Sequence, residues 1–299
     1  MPIFGRWPVL AALLAAFSGL AAPASADKLK VVATFSILGD LTAKVGGADI
    51  ELKILVGPNG DAHTYEPAPG DQRALAGAGL LIANGFGFEP WLDRLKAASG
   101  FKGDTVIATE GIAPLTMVEE GESQPVTDPH AFQSLANAEV YVANILKGLT
   151  AVDPAHAGTY RANAARLTEE IRALDREISG EISAILPENR RILTSHDAFQ
   201  YFAKAYGIEF LSIQGLSTEA EPSAADLAKL ADQVKREKVR AIFLENMSNP
   251  ALAKTIAAET GVPVGGELYA DALSEADGPA GDYLLLFRYN VGTILKALQ

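Results

Sequence analysis

The 299 residues of this chain include no cysteine, which excludes disulfides and thiolate metal ligands. It also excludes the lipid-accepting cysteine that anchors many exported proteins of single-membrane bacteria. Positive charge is in short supply, with 25 Lys and Arg against 37 Asp and Glu and a net charge of −12. That balance argues against nucleic acid and against anionic membrane surfaces as partners. Beyond residue 26 no stretch approaches the roughly 20 apolar residues that a membrane span requires. The signatures of several common catalysts are missing as well: there is no H-E-x-x-H, no G-x-S-x-G elbow and no Walker loop, and Gly85 and Gly87 in GFGFEP fail the G-x-G-x-x-G pattern. Histidine is scarce, at four residues.

The first 26 residues read as a secretory signal peptide. Arg6 precedes the apolar run from Pro8 to Ala22, and Ala24-Ser25-Ala26 forms an A-x-A cleavage signal. With no cysteine to anchor it, the remaining chain is expected to move freely in a periplasm. Its roughly 270 residues exceed the usual size of one compact domain, so two lobes are expected.

Hydrophobic periodicity then alternates between two and 3.6 residues. Lys30–Ser36 reads as a strand and Ile37–Val45 as a helix ending at Gly46-Gly47. Ile50–Val56 follows as a strand, Ala74–Ala78 as a short helix, Leu80–Ala83 as a buried strand, Pro90–Ala98 as a helix and Val106–Ala108 as a strand. Asp128-Pro129 reads as the capped opening of a helix, with His130 in its first turn. From Asp153-Pro154 to Pro187 apolar residues recur three and four apart, which predicts one helix of roughly 50 Å. Alternation resumes with strands at 191–194, 209–213, 241–244 and 263–265 and helices at 198–206, 223–237, 250–260 and 283–298. The fold class is therefore α/β, two lobes of mainly parallel sheet flanked by helices and joined by one long rigid helix. The boundaries predicted are a leader at 1–26, a first lobe at 27–150, a linking helix at 151–187 and a second lobe at 188–299.

Three of the four histidines lie in separate segments that each resemble a ligand-bearing loop: His63 in GDAHTYEP, His130 in TDPHAF and His196 in TSHDAFQYF. Neutral imidazole suits zinc and other divalent transition metals, and ligands beyond the carboxyl ends of strands meet between lobes. Each histidine taken alone is equally at home as a surface or hydrogen-bonded core residue. His156, at the start of the long helix and outside any motif, reads as a solvated helix-end residue. A secreted zinc hydrolase is the rival from another class, since three histidines with an open position and a nearby Glu activate water. Ser195, His196 and Asp197 are consecutive and cannot converge as a catalytic triad.

HTYEPAPGD (63–71), NGFGFEPWLDRL (84–95), DPHAF (128–132), SHDAFQYFAKAYGI (195–208), STEAEPSAADL (217–227) and LYADALS (268–274) occur in an order that resembles the cluster A-I metal-binding proteins of bacterial ABC importers, the TroA-like zinc and manganese type. The resemblance covers essentially the whole chain after the leader. It implies a protein that catalyses nothing, captures Zn2+ between two lobes and delivers it to a membrane permease, with a periplasmic metal-donor protein as a further partner and a monomeric state. It makes His63, His130 and His196 metal ligands and gives Asp271 the fourth place, although Glu275, Asp277 and Asp282 lie near. Manganese-selective relatives usually carry Glu where this chain has His196, so the resemblance points to the zinc branch, with manganese or iron as the alternative cargo. Two positions depart from the pattern. Phe132 stands where many relatives have Trp, and Thr116–Thr127 lacks the histidine-rich insert of many zinc members, which argues against metal gathering on that loop. Glu66 reads as a partner for a ligand ring or a plain loop acceptor, and Glu245 as a cleft residue or an ordinary strand-end charge.

Overall fold

A computed structural model describes residues 1–2, 28–117, 124–216, 218 and 222–298. The segment read as a leader, apart from its first two residues, lies outside the described residues. Among the described residues no helix is long and apolar enough to cross a membrane.

Each lobe is built on a four-stranded parallel sheet. In the first, β1 (Leu29–Phe35), β2 (Ile50–Val56), β3 (Leu80–Ala83) and β4 (Asp104–Ile107) stand in the order β2-β1-β3-β4. β1 carries five consecutive buried residues, as a central strand covered on both faces requires. Helices α1 (Ser36–Gly46), α2 (Pro69–Ala76) and α3 (Leu92–Ser99) fill the crossovers. A short antiparallel ribbon of β5 (Thr116–Met117) and β6 (Val126–Thr127) leads to α4 (Leu135–Val152). In the second lobe β7 (Arg191–Thr194), β8 (Glu209–Ser212), β9 (Ala241–Glu245) and β10 (Val264–Leu268) are ordered β10-β9-β7-β8, with α6 (Gln200–Tyr206), α7 (Ala224–Arg236) and α8 (Ala251–Thr260) between them. The final helix α9 (Tyr283–Leu298) packs on β10 and on the linking helix.

That linking helix, α5, runs from Ala157 to Ser183 and buries Tyr160, Ala164, Leu167, Ile171, Leu174, Ile178 and Ile182 on one stripe. At 1.5 Å per residue its 27 residues span about 40 Å rather than 50. The expected helix is trimmed at both ends for local reasons. At the start Asp153 accepts from the Tyr160 hydroxyl at 2.6 Å and holds Pro154–His156 in a 3₁₀ turn. At the end the Arg190 guanidinium donates to the carbonyls of Ser183 and Ile185, drawing off groups that another helical turn would use. The stripe belongs to one continuous apolar core that includes residues of both lobes, such as Leu81 and Ile145 from the first and Phe202 and Phe243 from the second. A smaller separate cluster, including Leu193, Val234, Ile242 and Ile256, lies in the second lobe.

Candidate metal centre

His63 lies midway along the loop between β2 and α2. Its backbone N–H donates to Asp61 Oδ1 at 2.8 Å, and the preceding carbonyl of Ala62 accepts from the Trp91 indole at 2.8 Å. The other oxygen of Asp61 accepts from the Thr218 hydroxyl of the second lobe at 2.6 Å.

His130 is not in a helix. The expected cap at Asp128 is replaced by a tight turn, because the Asp128 carboxylate turns onto residue 130 itself: Oδ1 accepts from the His130 backbone N–H at 2.9 Å and lies 2.8 Å from ring Nδ1. A 3₁₀ turn at Ala131–Gln133 follows, and α4 begins only at Leu135, capped by Ser134 Oγ.

His196 stands two residues past β7. Glu245, at the end of the neighbouring strand β9, accepts through Oε1 from the backbone N–H groups of Ser195 and His196 at 2.8 and 3.1 Å, and its Oε2 lies 2.5 Å from ring Nδ1. The strand-end reading of Glu245 thus gives way to a buried partner of a ring. Glu66 is exposed. The carboxylate neighbours of the histidine rings are instead Asp128 and Glu245, the first signalled by D-P-H spacing and the second by adjacent strand ends in one sheet.

Asp271 follows β10 on a segment clamped against the first lobe. Gln133 donates to the Ala270 carbonyl at 2.6 Å, the Leu273 N–H donates to Ser36 Oγ at 3.0 Å, and the Asn59 N–H donates to the Leu273 carbonyl at 2.9 Å.

These four segments converge. The ligand atoms of His63, His130, His196 and Asp271 lie within 4.8 Å of one another. Nε2 of His63 is 3.2 Å from Nε2 of His130, and Asp271 Oδ2 is 3.2, 3.6 and 3.0 Å from Nε2 of His63, His130 and His196. Only His63 retains any accessible surface, about 5 %. Asp271 Oδ1 is buried and has no hydrogen-bond partner among the described residues. Glu275, Asp277 and Asp282 are not in the cluster, and neither is His156, which pairs with Asp153 at 2.7 Å. Ser195 Oγ is buried, and among the described residues no base is hydrogen-bonded to it as an activated nucleophile requires.

Electrostatics divides the three rings. Burial pushes His63 below the ordinary imidazole range despite Asp271. Burial opposes charge on His130 too, but Asp271 and Asp128 outweigh it and push the ring up to about 9. His196 rises well above its ordinary value, with Glu245 and Asp271 overcoming burial. Asp271 is held well below the carboxylate range, since His130 and His196 outweigh its own desolvation. A buried anion facing three Nε2 atoms, two of them on rings whose Nδ1 meets a carboxylate, is suited to holding a divalent cation.

Comparison with known proteins finds metal-binding relatives along nearly the whole chain. The family model described as zinc-uptake complex component A, periplasmic (ZnuA), matches residues 31–297. The chain is 34 % identical over 272 residues to the iron-binding protein YfeA of Yersinia pestis, covering 91 % of this chain and 87 % of that one. It is 33 % identical over 299 residues to the manganese ABC transporter substrate-binding lipoprotein PsaA of Streptococcus pneumoniae, covering 97 % and 96 %. The periplasmic zinc-binding protein TroA of Treponema pallidum superposes with a TM-score of 0.85 at 29 % identity, covering 91 % and 99 %.

Proposed function

Because this chain belongs to the zinc-uptake component A family of ABC-importer metal-binding proteins, which bind and deliver rather than catalyse, we propose that its cargo is Zn2+, held by His63, His130, His196 and Asp271. The observation that carries this reading is the buried convergence of three imidazole nitrogens and one carboxylate. Zinc favours four ligands drawn from nitrogen and oxygen, whereas manganese prefers a harder, oxygen-rich set. The protein works outside the cytoplasm, takes the ion into the cleft and passes it to a permease driven by an ATPase. In this reading it acts as a monomer, and it is loaded from solution or by a periplasmic metal-donor protein.

A second reading, manganese or iron as cargo, draws on Asp271 Oδ1. That unpartnered oxygen is a fifth donor close to the ligand set, which suits ions of higher coordination number. The names of the Yersinia and Streptococcus relatives favour the same alternative. Elemental analysis of protein purified without added metal, followed by zinc–manganese competition, separates the two. Zinc retained against excess manganese is the expected result. Manganese or iron retained instead overturns the zinc assignment, and failure to bind any divalent ion overturns the site.

A further inference from the structure

The NGFGFE stretch (84–89) contributes no ligand, yet it lies directly beneath two of them. Asn84, fully buried at the end of β3, uses every polar atom it has. Its N–H donates to Glu89 Oε1 at 2.7 Å, and its carbonyl accepts from the Thr109 hydroxyl at 2.7 Å and the Thr109 N–H at 3.1 Å. Its side-chain oxygen accepts from the Tyr141 hydroxyl at 2.6 Å. The amide Nδ2 donates to the Gly85 carbonyl at 3.1 Å and, at 2.8 Å, to the carbonyl of Pro129, the residue before His130. Of these bonds, only the last leaves the floor of the lobe and reaches a ligand loop.

The loop itself is pinned from below. Glu89 is a buried carboxylate held by the Thr34 hydroxyl at 2.6 Å and by the N–H groups of Asn84 and Gly85. Gly85 has φ +92, and a Cβ there would come within 2.5 Å of Ile107. Phe88, with no exposed surface, sets its ring against both His63 and His130, at centroid distances of 4.8 and 5.8 Å and interplanar angles of 73° and 83°. These are edge-to-face contacts, which fix ring orientation as well as distance.

We propose that Asn84 is a positioning residue of the metal centre: its amide fixes the backbone at Pro129 and so where His130 presents Nε2, while Glu89 holds Asn84 and Phe88 sets the separation of the His63 and His130 rings. The Asp128 carboxylate cannot do this alone, because it bonds His130 from within the same loop and moves with it. Partners that orient a ligand without touching the ion are typically worth about 10–100-fold in metal affinity.

This inference rests on the proposed metal site, and the experiment separates the two. The mature protein is titrated with Co2+, whose visible absorption reports ligand geometry, and then with Zn2+ by competition, for the parent, Asn84→Ala and Thr109→Val. Thr109→Val removes one hydrogen bond of similar length to the Asn84 carbonyl on the side away from the ligands, so it loosens Asn84 without cutting its link to Pro129. Asn84→Ala is expected to lose roughly 10–100-fold in zinc affinity and to show an altered cobalt spectrum, while Thr109→Val keeps both parental properties. Should Asn84→Ala fail to fold, Tyr141→Phe, which frees the Asn84 amide to turn, is expected to give a smaller loss with the same spectral change. A parental spectrum and affinity in Asn84→Ala, or equal losses in Asn84→Ala and Thr109→Val, overturns the positioning role. A parent that binds no Co2+ overturns the metal site instead.

Discussion

The two sheets share one strand order, second-first-third-fourth in chain sequence within each lobe, yet they support their histidines by different means. His196 lies two residues beyond a strand end, and one side chain, Glu245, delivered by the next strand in register, meets both its ring Nδ1 and its backbone N–H. His63 and His130 sit on longer excursions and are held by a network: Asp61 and Trp91 for one, Asp128 and Asn84 for the other, with Phe88 between the rings. The strands differ in kind: β7 stands between two neighbours in a four-stranded sheet, β6 belongs to a two-residue ribbon, and β2 ends seven residues before His63. A ligand at a strand end inherits the precision of the sheet, and one on a loop must be given it by side chains.

The largest test asks whether the two modes deliver ligands of equal worth. Free zinc at about 1,000 times Kd adds about 4 kcal/mol to the folded state, which for a chain of this size raises the melting temperature by on the order of 10 °C. His63→Ala, His130→Ala and His196→Ala should each lose most of that rise and Asp271→Ala part of it, while His156→Ala keeps it. A first-lobe variant that melts like the parent in zinc would break the comparison.

Acid should act almost as strongly, and unequally among the rings. Without metal, His130 carries its proton up to about 9 and His196 is raised as well, whereas His63 is lowered. Binding near neutral pH therefore expels protons from His130 and His196, and apparent affinity climbs as pH rises toward about 9, by up to about tenfold per unit for each proton released. Calorimetry in buffers of different ionisation enthalpy counts those protons. A profile that stays flat between about pH 6 and 8 contradicts the assignment.

The carboxylate partners come next. Asp128→Asn and Glu245→Gln should each weaken zinc binding by roughly 10–100-fold. Glu245→Gln should also lower the metal-free melting temperature, because it replaces one of two acceptor oxygens with an N–H₂ donor that must face either the His196 ring or the backbone N–H groups of Ser195 and His196. If Asp128→Asn proves the more destabilising, the second lobe does not depend on a single anchor. The smallest effect expected is on selectivity: His196→Glu should shift the zinc-to-manganese affinity ratio toward manganese by about tenfold or less, and equal loss of both ions would remove His196 as the selector.

Periodicity made most of the fold legible. The strand at 191–194 and the helix at 283–298 fall where the apolar pattern puts them, since both are buried on the faces that the pattern marks. It failed where side chains outbid the backbone pattern. Asp128-Pro129 has the composition of a helix start, but its carboxylate serves His130 instead of a helical N–H. Arg190 ends α5 before Pro187 can, by taking carbonyls that sequence spacing does not reveal. In the site, the ring-bearing residues were visible through their rarity and their motifs. Of their supports Asp61 and Asp128 are close in sequence, each two residues from its histidine; Glu245 is 49 residues from His196 and Asn84 is 45 from Pro129, and such partnerships exist only in three dimensions.

The clamp on the Asp271 segment has a further consequence, for the order in which the protein becomes competent. Ser36 and Leu273, 237 positions apart, meet in one hydrogen bond, and the fourth ligand depends on that meeting. Contacts of such long range close late and slowly in folding. A chain emerging from its N-terminus therefore has no complete site until its last segment has come back to its first. The fourth donor is therefore the last to arrive, and the whole chain must be made before all four can act together.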